Sequence, residues 1–177
     1  MNPSLLLPKR PARFSDEHDP VRIVMICEDD ACAGCARNFA GEVLDGNGGG
    51  ITRFWNFEVL CLTDVCDAAA SAAAVADFVV FSASGKRELS SGMRDWLETW
   101  ECRIDEKTPA LVAFFNDSNS GGRAAGNIRT GLHAIAERHC MEFVAFNLDP
   151  ASCQQSVGPA VYSRRPHECS NRGEIES

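Results

Sequence analysis

Val21-Arg22-Ile23-Val24-Met25-Ile26-Cys27, followed at once by Glu28-Asp29-Asp30, decides how this chain folds. The run is almost wholly apolar and rich in β-branched residues, the mark of a strand covered on both faces, because a strand with one wet face alternates. Three acids in a row mark its end. Outward from it, apolar runs recur at Phe54 to Cys61, Phe78 to Phe81, Ala110 to Phe115 and Glu142 to Phe146, separated by stretches with helical spacing. Strands alternating with helices predict βαβ units and a parallel sheet.

Phe78-Val79-Val80-Phe81 and Ala110-Leu111-Val112-Ala113-Phe114-Phe115 are as continuous as the first run and belong in the middle of the sheet. Arg53, Trp55, Phe57 and Val59 alternate with Thr52, Phe54, Asn56 and Glu58, a mixed pattern that fits an edge strand. The fifth run, bracketed by Glu142 and Asn147, fits the other edge. Right-handed crossovers then give the order 2-1-3-4-5 in a three-layer α/β sandwich, the order of flavodoxin-like sheets.

The intervening helices carry their own signals. Met93, Trp96, Leu97 and Trp100 fall at i, i+3, i+4 and i+7 behind a capping Ser90-Ser91, which places both tryptophans in the core. Ile128, Leu132, Ile135 and Ala136 form a similar stripe. The alanine-rich stretch from Val65 to Ala76 predicts a helix that packs closely on the sheet. Gly46-Asn47-Gly48-Gly49-Gly50 ends the first helix and turns the chain toward the second strand.

A length of 177 residues with 45% hydrophobic and 24% charged residues predicts one domain, set at 21 to 156. Residues 1 to 20, with four prolines, predict an extended arm, and residues 157 to 177, rich in Gly, Pro, Arg, Ser and Glu, a tail. A net charge of -8 argues against a nucleic-acid surface, which needs clustered Lys and Arg. Apolar runs fall short of the roughly 20 residues of a membrane-spanning helix. Leu5-Leu6-Leu7 is too short for a signal-peptide core and precedes Lys9-Arg10, so a cytoplasmic protein is expected. Nine cysteines, an odd number and mostly within apolar segments, read as small hydrophobes in a reducing compartment.

Parallel sheets of this kind bind ligands beyond the carboxyl ends of their strands. Those ends bring Glu28, Asp29 and Asp30 together with Ser82, Ser84, Lys86 and Arg87, and with Asn116, Asp117, Ser118, Gly121 and Gly122. The acids suit a hard cation such as Mg²⁺, and the others a small polar ligand. Ile23 to Asp30 resembles the opening of response-regulator receiver domains, whose acidic pair follows the first strand and binds Mg²⁺. A receiver's phosphate-accepting aspartate falls where this chain has Ser82 and Ser84, and its lysine where this chain has Asn147-Leu148-Asp149. The resemblance therefore implies a metal site without phosphotransfer.

A second resemblance spans about residues 76 to 146. Ala76 to Ser82 with Ser90 to Leu97, and Pro109 to Phe115 with Ser120-Gly121-Gly122-Arg123-Ala124-Ala125-Gly126, are similar to flavodoxin-like NAD(P)H-dependent FMN reductases. That similarity implies a flavin and NAD(P)H oxidoreduction. The site chemistry differs, because three acids stand where a flavin phosphate is cradled, and neither Ala83 to Ser91 nor Asn116 to Gly126 offers an aromatic residue for the ring. FMN and Mg²⁺ are both admissible and neither is favoured. Cys32-Ala33-Gly34-Cys35 lies at a helix start, where the dipole lowers a thiol pKa while the preceding acids raise it. The reading that best fits these residues is a non-catalytic or degenerate flavodoxin-like domain. Its partner is another protein or a small polar ligand, and self-association follows if Trp55 or Phe57 projects from the edge.

Overall fold

The computed structural model describes residues 19–105, 108–115 and 123–147. Five parallel strands form one sheet: β1 (Val21–Cys27), β2 (Gly50–Asn56), β3 (Phe78–Ala83), β4 (Ala110–Phe115) and β5 (Phe143–Asn147). Their order is β2-β1-β3-β4-β5, as the burial patterns of the sequence predict, which is a flavodoxin-like arrangement. Helices α1 (Asp30–Gly46), α2 (Thr63–Ala74), α3 (Ser91–Glu101) and α4 (Arg123–Arg138) make the crossovers. The expected arm, apart from Asp19 and Pro20, and the expected tail lie outside the described residues, as do 148 to 156 of the expected domain.

Each face of the sheet carries a separate apolar core. Val21, Ile23, Met25 and Cys27 of β1 point with Phe78, Val80, Val112 and Phe114 toward α1. Val24, Ile26, Val79, Phe81, Leu111 and Phe115 point the other way, toward α2, α3 and α4. Period-2 alternation thus serves both cores, which is why β1, β3 and β4 are apolar throughout. The α3 stripe behaves as its spacing predicts: Met93, Trp96 and Trp100 are fully buried, and the tryptophan rings stack 5.4 Å apart. Ser90 caps the helix by accepting the Met93 N–H.

At the amino ends of the strands, Asp77 joins three of them. Its carboxylate accepts the Arg22 N–H at 2.7 Å, its own N–H donates to the Arg22 carbonyl, and its carbonyl accepts from Ala110 N. Two glycines are set by close approach: a Cβ on Gly50 would lie 2.2 Å from the Val21 carbonyl oxygen, and one on Gly92 would lie 3.0 Å from the Cys61 Cα.

The second strand departs from expectation. It occupies Gly50–Asn56 rather than Phe54 to Cys61, and Phe57–Cys61 form a short 3₁₀ helix. Asn56 ends the strand by accepting the Glu58 N–H through its side chain, a local bond that competes with continued pairing. This strand is an edge, as predicted, but Trp55 and Phe57 do not project from it. Both are half-buried against the α2–α4 core, with the Phe57 ring 5.1 Å from that of Phe81. The exposed apolar residues there are Ile51 and Phe54.

Candidate functional site at the strand carboxyl ends

Because β1 is flanked by β2 and β3, the chain reverses its sense of progress at β1, and a crevice is expected beyond Cys27 and Ala83. The groups gathered there bond mainly to one another. Glu28 continues the β1 ladder through its N–H to the Ser82 carbonyl, at 2.8 Å. Its carboxylate accepts the Ser84 N–H at 2.6 Å, tying the tip of β1 to the loop after β3. That loop turns at Gly85, whose φ of +71° few side chains tolerate.

Ser82, at the end of β3, is buried and donates to the Cys32 carbonyl at 2.7 Å. Ser84 is half-buried, and its hydroxyl accepts the Lys86 N–H. Lys86 and Arg87 are exposed on the rim. Asn116, Asp117, Ser118, Gly121 and Gly122 lie outside the described residues.

The acids of the β1 tip divide their labour. Asp29 is the N-cap of α1 and accepts the Cys32 N–H at 2.7 Å. Asp30 lies in the first turn, where the helix dipole favours it, 3.6 Å from Arg37. With Glu28 drawn to Ser84, each carboxylate has a different partner. Among the described residues no group of three His, Cys, Asp or Glu side chains is placed to hold a metal ion. One first-turn amide of α1, that of Cys32, is thereby occupied by the Asp29 carboxylate and is not open to an anion.

The same acids act on the thiols. Burial, reinforced by Asp29 and Asp30 and opposed by Arg37, pushes the Cys27 thiol up to about 12. Cys32 is raised as well, by burial first and then by its contact with Asp29 and the charge of Glu28. A redox Cys-x-x-Cys pair needs the opposite shift. Cys35 is buried beside them in the α1 core.

Sequence reasoning passed over Arg129. This α4 residue reaches the ends of β4 and β5, with its guanidinium 5.1 Å from the centroid of the Phe115 ring and one Nη donating to the Asn147 side-chain oxygen. Its only prior signal was its place beside Ile128, one step off the apolar stripe. His133, in α4, packs edge-on against Phe143, and His139, just past α4, meets Glu101 at 3.3 Å.

Two hollows lie away from Glu28 and Ser84. A groove of about 390 Å³ between α3 and α4 has Leu97, Ile128, Leu132 and Ile135 among its lining. Another, of about 460 Å³, runs beside β2 past Ile51, Arg53, Ala72 and Val75. Neither includes Glu28, Ser82 or Ser84. Comparison with protein-family models and with curated protein sequences finds no match for this chain.

Proposed function

We propose that the protein is a non-catalytic, flavodoxin-like binding domain that takes a small polar ligand at the strand carboxyl ends. One observation carries this reading: among the described residues, Glu28 and Ser82, the groups at the junction of β1 and β3 that could do chemistry, are committed to backbone partners, Glu28 to Ser84 N and Ser82 to the Cys32 carbonyl. A general base or nucleophile must be within reach of substrate and able to exchange its proton. The raised thiols of Cys27 and Cys32 support the same reading. Native mass spectrometry and the ultraviolet-visible spectrum of freshly purified protein test it. The expected result is protein that neither carries nor takes up flavin, together with retention of a small polar ligand or saturable binding in a ligand screen. Stoichiometric flavin would replace this reading with a flavin-dependent NAD(P)H oxidoreductase. Mg²⁺ uptake abolished by Asp29→Ala or Asp30→Ala would replace it with a receiver-like module.

A second reading, contact with another copy of the chain, is favoured by the β2 edge. Among the described residues its outer side has no strand neighbour, and Ile51, Phe54 and Val75 are 48%, 36% and 51% exposed around the hollow and the strand. Among the described residues it carries neither proline nor a bulge, and the exposed Arg53 is its one charged side chain. Light scattering on the wild type and on Ile51→Lys tests this, with a dimer expected for the first and a monomer for the second. A monomeric wild type at high concentration removes it.

A further inference from the structure

Arg129 differs from the other arginines that the described contacts place. Arg37 meets Asp30, Arg103 meets Asp67 at 2.6 Å, and Arg138 makes a two-pronged bond to Glu101. Arg129 is half-buried and meets no carboxylate among the described residues. Among the described residues its partners are the neutral amide of Asn147 and the fully buried ring of Phe115, and its buried Nε meets no acceptor there. A cation removed from water is costly unless its charge and hydrogen-bonding groups are satisfied, and ring stacking offsets only part of that cost.

The bond to Asn147 has a second effect. Arginine only donates, so Asn147 must present its oxygen to Arg129 and turn its NH₂ the other way. Asn147 is exposed and ends β5, next in register to Phe115, the last residue of β4. Among the described residues, the polar side chains that meet at this corner present donors, a guanidinium fork beside an oriented amide, on the edge of the sheet where such folds bind ligands. Planar or tetrahedral oxyanions match that fork in two-pronged fashion.

Building on the ligand-binding reading above, we propose that Arg129 and Asn147 form its anion-binding corner and receive a carboxylate or phosphate group of the ligand.

The test follows the side-chain Nε–H of Arg129 and the NH₂ of Asn147 by nuclear magnetic resonance in the full chain. Inorganic phosphate is titrated in one arm and acetate in another, with chloride at equal ionic strength as the control. Saturable shifts of both groups with phosphate, acetate or both, and none with chloride, are expected; the stronger arm identifies the anionic group. Arg129→Gln should abolish the response of Asn147. Arg129→Lys, which keeps charge but loses the fork, should weaken it by about tenfold and serves if the first variant does not fold. Absence of a saturable shift overturns the inference, as does an Asn147 response that survives Arg129→Gln. Shifts confined to Ser84, Lys86 and Arg87 would also overturn it while leaving the strand-end reading intact. That broader reading fails separately, in the ligand screen.

Discussion

The Glu28 carboxylate lies 2.6 Å from the backbone nitrogen of Ser84, a residue 56 positions away, and ties the end of β1 to the loop after β3. A charge-assisted bond at a partly buried position stabilises by about 1.5–3 kcal/mol. Glu28→Ala should therefore lower stability by about 2 kcal/mol, and Glu28→Gln, which can still accept from the amide, by less. Urea denaturation gives the values. Faster hydrogen exchange at Ser84 in the alanine variant would place the loss at this bond, and unchanged exchange would dissociate it from the loop.

Thiol chemistry should divide by position. Cys61 and Cys102 are exposed, whereas Cys27 and Cys32 are buried with raised pKa values. Three pH units below a value of about 12, only about a thousandth of Cys27 is thiolate. Alkylation of native protein followed by peptide mass mapping should mark Cys61 and Cys102 and spare Cys27 and Cys32 until denaturant is added. Rapid native labelling of Cys32 would reopen the redox reading of its Cys-x-x-Cys motif.

Glycine tolerance provides a paired comparison. Gly50→Ala forces a Cβ against the Val21 carbonyl, and Gly92→Ala presses on Cys61, while a Cβ on Gly131 in α4 meets nothing within 4 Å. The first two should destabilise by about 1–3 kcal/mol or more, as overpacking does. Gly131→Ala should stabilise by up to about 1 kcal/mol through helix propensity. Thermal melts of the three variants check the ranking.

Acid sensitivity should appear at the far end of α3. Arg138, by hydrogen bonding to Glu101, holds that carboxyl below its usual range; burial opposes this and His139 adds to it. A carboxylate with a lowered folded-state pKa stabilises the fold above its unfolded value and loses that contribution as pH falls through the lowered one. Glu101→Gln should therefore be less stable than wild type at neutral pH, with the two curves converging in acid. A gap independent of pH would show that packing, not charge, separates them.

The architecture was legible because the chemistry of burial is written residue by residue. β1 and β4 have the expected bounds since both faces are dry, and the mixed residues 52 to 59 correctly mark an edge. What escaped depends on local competition or on three-dimensional neighbours. The Asn56 side-chain bond ended β2 early and turned Phe57 inward, although the alternation continued through Val59. Ser82 looks equally reactive in sequence whether its hydroxyl faces a substrate or the Cys32 carbonyl. Arg129 gains meaning only from Phe115 and Asn147, which no periodicity brings to it.

The Asp77 junction also bears on how the chain is born. β1 is made first, yet its inner neighbour and the carboxylate that fixes Arg22 come 55 residues later, after β2 and α2. An apolar strand emerging from the ribosome must therefore wait for a distant partner, and contacts across such sequence separations slow folding. During that interval β1 has α1 and β2 beside it but lacks β3, so its inner edge stays open to other strands until Phe78 to Ala83 are made.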